Sequence, residues 1–457
     1  MPMEAENMMR KKEYLLEMCH DITVFSNEKH CFLYFDSMIK MSMKQEKEII
    51  KRDSNVLIKP FKNDLDCKKL LEGEKAYIDK VKKKRIVYRE SNVPMDCESI
   101  YKRGFNKNKI LSTIEKKYSL AFALNVYKNY EVIELKLLSI YSPNNHYCYM
   151  VDSKNPKLYN QMIQLEKCLP NVYVPKIQYD MKSNGENTGI SHFQCMKRLL
   201  KTKFDYVFLL QNDEMPLKTN RELIEILETM NFAIDMKIII NKHSINRRVD
   251  HKKSWKFKDL NIFLDGDIRK ENATIMNQTI EFTKGLVTTG LPRDSVDYLI
   301  NKLNITTFLK QLNTHLYGND KLTWQTLLSS DILNVPGHVP RKHVMNYFSR
   351  PYYFSKLVVY AGARCPTGSF HHSICSWGVE AIKDLLDVRH YFLYGFREDF
   401  DYGAMMCYGE YLYNKTNFEE YEKPDLWFYY NSPSSIYKRL SLTHNMSLIE
   451  DYKRWLD

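Results

Sequence analysis

Apolar positions cluster into a repeating order from about residue 119 onward. Residues 119–127 (SLAFALNVY) form an apolar run with few polar interruptions, which predicts a strand buried on both faces. Residues 130–140 place apolar side chains at helical spacing. Residues 146–151 (HYCYMV) predict a second strand that ends at Asp152. The alternation continues with a helix over 156–169, a short strand over 171–174, a helix over 187–200 and a strand over 205–210. A further helix spans 219–230, with Thr219 or Asn220 as N-cap. Strands alternating with helices imply βαβ units and a mostly parallel sheet. Ligands on such sheets bind outside the carboxyl ends of the strands. That rule gathers Asn125, Val126, Tyr127, Asp152 and the 211–214 turn on one rim.

The remaining chain is less periodic. Residues 1–60 are rich in Lys, Glu and Met and read as an N-terminal stem or accessory segment, with the main domain over 61–457. Residues 231–284 are basic and irregular, and read as a long loop and hairpin region where substrate contacts gather. Residues 291–315 read as helical, and Lys82-Lys83-Lys84-Arg85 as a charged surface helix. Trp324 reads as a core residue.

The 457 residues are 44% hydrophobic and 27% charged, which excludes wholesale disorder, collagen and coiled coil. The surplus of 68 Lys and Arg over 56 Asp and Glu gives a net charge of +12 and favours anionic partners. No zinc-finger spacing or RNA-recognition signature accompanies it, so a nucleic-acid partner is not expected. No GxGxxG or GxxxxGK[ST] follows the first strand, which argues against a dinucleotide site or a P-loop. Asp265-Gly266-Asp267 has the form of a metal-binding DxD but reads as a turn. Asn212-Asp213-Glu214 follows the fourth strand, yet no metal is expected there.

None of the 10 cysteines forms a CxxC, which leaves buried thiols or long-range disulfides open. Sequons at Asn272, Asn277, Asn304, Asn414 and Asn445 favour a lumenal or extracellular protein. Residues 1–60 hold no apolar run of 18 residues and no signal-peptide pattern. Two readings stay open, a cytosolic chain or one whose natural N-terminus is missing.

Five segments recur in one order and make a family resemblance. They are 145–152 (NHYCYMVD), 195–197 (CMK), 208–220 (FLLQNDEMPLKTN), 335–337 (VPG) and 373–378 (SICSWG). Over roughly residues 65–420 the chain resembles the core-2/I-branching β-1,6-N-acetylglucosaminyltransferases. The resemblance implies an α/β, GT-A-like (Rossmann-like) fold, a mostly parallel sheet flanked by helices and stabilised by disulfides. It implies the pairs Cys67–Cys407, Cys97–Cys168, Cys148–Cys195 and Cys365–Cys375, leaving Cys19 and Cys31. It also implies a Golgi-lumenal type II membrane protein, although this chain displays no anchor. The implied chemistry is metal-independent, inverting transfer from UDP-GlcNAc to a 6-hydroxyl of an O-glycan, with no further cofactor.

Inverting transfer needs one base at the acceptor hydroxyl and positive charge at the departing diphosphate. The family's Asp-Glu pair falls on Asp320-Lys321, so the base position holds Lys321. An ordinary Lys is protonated at pH 7. Asp320 is one residue away, about 100° around a helix. The family's Arg falls on His372 and its Lys on Gly395, with Arg389, Arg397 or Lys383 as substitutes. Asn125, Val126, Tyr127 and Asp152 are the expected donor contacts, and Trp255 and Tyr360 the expected acceptor contacts. The same departures leave a second reading open, a catalytically inactive glycan- or UDP-sugar-binding relative.

Overall fold

The computed structural model describes residues 65–105, 109–340, 353–418 and 421–442. The stem, Cys19, Cys31 and Asn445 lie outside them. The central sheet is formed by β1 (Leu120–Val126), β2 (His146–Val151), β3 (Val172–Tyr173), β4 (Tyr206–Gln211), β6 (Asp235–Met236) and β7 (Thr289–Pro292). Its order is β3-β2-β1-β4-β7-β6. The first four strands run parallel, and β7 and β6 continue the sheet antiparallel. A smaller sheet joins β5 (Glu214–Pro216), β11 (Phe392–Tyr394) and β8 (Lys356–Leu357). A hairpin joins β9 (Phe370–His371) to β10 (Ile374–Cys375).

Successive strand residues face opposite sides of a sheet, which explains the continuous apolar runs. Phe122, Tyr147, Tyr149 and Phe208 enter one core, while Ala121, Ala123, Cys148, Met150 and Val207 enter the other. The helices covering these faces include α1 (Tyr130–Ile140), α2 (Pro156–Cys168), α3 (Thr188–Leu199), α4 (Asn220–Thr229), α5 (Arg293–Asn301), α6 (Asp320–Leu328) and α7 (Glu398–Asn417). Thr219 caps α4 in a reciprocal capping box with Glu222. Gly409 of α7 faces Leu135 and Ser139 of α1, and a Cβ there would lie 3.5 Å from each.

Four disulfides pin this arrangement: Cys67–Cys407, Cys97–Cys168, Cys148–Cys195 and Cys365–Cys375. The turn at 335–337 closes with His338 N–H donating to Val335 O, and Gly337 takes φ +75° as a type II turn requires. Among the described residues, no helix is long and apolar enough to cross a membrane.

Two sequence expectations need correction. Residues 231–284 are no loose loop and hairpin. They carry β6 and short helices, and bury Ile245, Val249, Trp255, Phe257, Leu260 and Ile262 in the second core. Their buried positions follow neither a helical nor a strand period for long, so periodicity could not reveal them. Lys82–Lys84 forms an exposed 3-10 turn, but Arg85 turns inward to pair with Glu380 and Asp401.

Asp235 is buried, and both its carboxylate oxygens accept from Phe354 N at 3.0 Å. Burial raises its pKa to about 6. The neutral form is therefore favoured in the native state. This contribution is fully present below about pH 4 and is lost as pH rises through about 6. The shift corresponds to roughly 3 kcal/mol. Melting temperatures of wild type and Asp235→Asn, compared from pH 4 to 7, are expected to converge at the acid end and separate above it, with the amide more stable. Parallel curves would overturn this assignment.

Candidate active site

The carboxyl ends of β1, β2 and β4 form the predicted rim. Asp152 is 3% exposed; its backbone N–H donates to Val126 O, and its Oδ1 accepts from Lys154 N at 2.9 Å. Asn125 is buried and donates from Nδ2 to Thr188 O, while its Oδ1 has no partner. Tyr127 is 41% exposed; its N–H donates to Asn212 Oδ1 and its hydroxyl to Asp213 Oδ2 at 2.5 Å. The exposed ring offers a stacking face beside the polar strand ends. Lys136, fully buried with its pKa lowered by that burial, donates to Asn212 O at 2.6 Å and props the turn from below.

Asp213 and Glu214 have partners already; Asp213 accepts from the Tyr127 hydroxyl. Glu214 pairs with Lys356 at 2.6 Å, accepts from Gln211 N at 3.1 Å and receives the Thr288 hydroxyl. Its side chain is fully buried, so this carboxylate holds β5 and β8 to the sheet. Asp265 pairs with Lys270, while Asp267 caps the 268–271 helix and binds Arg269, with Gly266 at φ +83°. That segment is the expected turn.

Beyond the rim lies a cleft with a cavity of about 130 Å³, lined by Gln211, Tyr317, Asp320, Lys321, Lys356 and Tyr360 among others. Asp320 and Lys321 open α6. Asp320 is 7% exposed, its Oδ1 has no hydrogen-bond partner, and burial raises its pKa above the ordinary carboxylate value. Gly185, at φ +100°, packs closely against that buried oxygen, since a Cβ there would lie 2.4 Å from Oδ1. Lys321 stands over the Tyr317 ring at 5.6 Å, and burial lowers its pKa, opposed by Asp320 and aided by Lys356, Arg248 and Arg247. The loop-borne Tyr360 reaches this cleft. Trp255 does not: its ring is 5% exposed, packs on Phe282 and Phe308, and donates to Asp250 O. Its place is the core, and the acceptor role expected of it has no exposed face to act through.

His372 sits at the tip of the β9–β10 hairpin. Both tip residues take positive φ, His372 at 48° and Ser373 at 63°, as a two-residue hairpin turn demands. Non-glycine residues adopt this region at a cost. The Cys365–Cys375 bond closes the loop that carries the hairpin. Arg397 and Lys128 act electrostatically on the neighbouring His371, opposed by Asp399; Arg397 is itself paired with Asp399, and Lys128 with Glu398. Of the suggested substitutes, Arg389 lies 3.1 Å over the Phe428 ring and Lys383 donates to Glu72 O; only Arg397 is tied to the hairpin. Gly395 has φ +100°, and a Cβ there would meet Cys375 O at 2.3 Å, so no Lys fits this backbone.

Sequence reasoning missed the Lys356–Glu214 pair and the role of Gly185. Lys356 lies in an unremarkable stretch, and its burial comes wholly from tertiary packing. Among the sequons, Asn272 caps the 273–277 helix, Asn277 is exposed, Asn304 receives Thr306 N–H and Asn414 lies on α7.

Comparison with known proteins gives the class. The model of the Core-2/I-Branching enzyme family matches residues 120–386, and the chain belongs to this family. It is 26% identical over 382 residues to a Bos taurus protein named beta-1,3-galactosyl-O-glycosyl-glycoprotein beta-1,6-N-acetylglucosaminyltransferase, covering 78% of this chain and 86% of the relative. The Homo sapiens protein of that name is 24% identical over 380 residues, with the same coverages. A Danio rerio relative, numbered 4 under the same name, is 26% identical over 398 residues, covering 80% and 90%.

Proposed function

We propose that this chain is an inverting β-1,6-N-acetylglucosaminyltransferase that uses UDP-GlcNAc and acts on a 6-hydroxyl of an O-glycan or related glycan. The observation that carries the reading is Asp320: a carboxylate in the cleft, with an unpartnered oxygen and a raised pKa. A base is more effective when its pKa approaches the working pH. In the proposed step the acceptor oxygen forms a bond to C1 of the sugar. The bond from C1 to the diphosphate oxygen breaks, the proton passes to Asp320, and UDP leaves with the bond electrons. Asn125, Val126, Tyr127 and Asp152 would hold the nucleoside. His372, Lys128 and Arg397 would face the diphosphate, where negative charge grows. Tyr360 would contact the acceptor.

The transfer is proposed to need no metal and no further cofactor. Four disulfides agree with an oxidising compartment, and a Golgi-lumenal setting with membrane attachment is part of the proposal.

A second reading is favoured by Lys321 at the family's base position and by the packing at Gly395: a UDP-sugar-binding relative without transfer. Calorimetric titration with UDP-GlcNAc, and a transfer assay on a panel of O-glycan acceptors in EDTA and in Mn²⁺, separates the two. EDTA-resistant transfer is the expected result. Binding without transfer would establish the second reading, and no binding would overturn both.

A further inference from the structure

Four segments bring cations close to the Asp320 end of the cleft; Lys321 lines it, while the Lys237 ammonium stands 5.3 Å over the Tyr353 ring. The Lys321 backbone carbonyl accepts from Gly285 N at 2.8 Å, which places Lys284 next to it. Lys284 exchanges backbone hydrogen bonds of 2.6 and 2.9 Å with Ile239. Lys237 O approaches Gly285 so closely that a Cβ there would fall 1.9 Å away. From the other side, Arg248 lies against Gly318, whose Cβ would be 2.9 Å from Arg248 Nε and 3.5 Å from Lys321 Cδ. Arg247 stands exposed beside it.

Among the described residues, Lys237, Arg247, Arg248, Lys284 and Lys321 make no ion pair; the nearby Lys356 is already paired with Glu214. Arg248 is 5% exposed, and its Nε has no hydrogen-bond partner although Nη1 bonds Ser244. A buried guanidinium nitrogen without an acceptor is costly. Mutual repulsion is visible at Lys284, where burial, then Arg248, Lys321, Arg247 and Lys237, lower the pKa to about 8. Asp320 acts on Arg248 and Lys321, and its own raised pKa opposes its ionisation. A neutral sugar leaves the repulsion in place. An anion in the cleft relieves it.

We propose that the acceptor glycan carries an acidic group, a carboxylate or a sulfate ester, seated against the wall of Lys237, Arg247, Arg248, Lys284 and Lys321. This rests on the transferase reading of the cleft. The proposal assigns the donor diphosphate to the hairpin side of the cleft and the wall to the acceptor side of Asp320. A guanidinium can grip either anion through paired hydrogen bonds.

The test uses the full chain and three matched oligosaccharides: neutral, uronic-acid-bearing and sulfated. Binding is measured by calorimetry at about 50 mM and 500 mM salt, with UDP-GlcNAc titrated in the same preparation. At least one acidic form is expected to bind ~10-fold or more tightly than the neutral one at low salt. The margin should shrink at high salt as the screening length shortens. Arg247→Gln combined with Lys284→Gln is expected to remove most of the margin; both sites are at least partly exposed, and the wild-type salt series decides the matter should the variant misfold. The sulfate and uronate arms identify the anion. UDP-GlcNAc binding with equal affinity for neutral and acidic glycans overturns this inference and spares the proposed function. Acidic preference without UDP-GlcNAc binding overturns the proposed function and leaves an acidic-glycan site. Failure of all three glycans to bind overturns the inference.

Discussion

Asp320→Asn is expected to lower kcat for sugar transfer by roughly 10²–10⁴-fold, the range typical of a lost general base. UDP-GlcNAc affinity should change little, because the nucleoside contacts proposed at Asp152 and Tyr127 lie at the strand ends. An amide matches the carboxylate in shape but cannot take the acceptor proton. The wild-type rate should fall as pH drops through the Asp320 pKa, which burial holds above the ordinary carboxylate range. The variant should lose that limb. A variant with unchanged kcat would remove Asp320 from the chemistry. Lys321→Glu then discriminates further: a large gain in rate would show that the family's base position governs this cleft and that Lys321 suppresses transfer.

Arg85→Met is expected to destabilise the fold by about 3–5 kcal/mol, the cost of leaving a buried partner charge uncompensated. Arg85 donates from Nη1 to Glu380 Oε2 and Asp401 Oδ2, and from Nη2 to Glu380 Oε1, at 2.6–2.8 Å. The Asp401 side chain is fully buried, and its carboxylate also accepts from Val379 N and Ala404 N. Asp401 departs from helical geometry within α7, so the network spans a kink between the N-terminal segment and the C-terminal helix. Gly378 allows the close approach, since a Cβ there would lie 2.4 Å from Arg85 Nη1. Thermal melts should show a fall of roughly 4–6 °C, since a chain of this length loses only about 1 °C per kcal/mol. Arg85→Lys should fall between, because an ammonium cannot reproduce the fork. Equal melting temperatures for wild type and Arg85→Met would mean that the network adds no net stability.

The central sheet was legible because its strands are buried on both faces and its helices are long enough to show a period. The 130–140 helix and the 146–151 strand coincide with α1 and β2 to the residue. The four disulfides were legible only through the family resemblance; cysteine spacing alone left them open. The 231–284 segment was misread because its buried residues are interleaved with Lys and Arg. Trp255 shows the consequence: an aromatic amid cations looked like a sugar platform, but tertiary packing placed it inside. Asp320 and Tyr360 were named from the sequence and share the cleft. Gly185, Lys356 and the cationic wall arise from contacts between distant segments, which no local pattern encodes.

The packing at Gly395 limits how this site can be re-engineered. With the Cys375 carbonyl occupying the space where a side chain would start, a Gly395→Lys substitution cannot be accommodated without moving the local backbone. The hairpin and its disulfide would have to move first. A side chain at this position therefore requires earlier changes in the hairpin that frames it. An engineer seeking a cation on this side of the cleft has better access through the exposed tip at His372 than through Gly395.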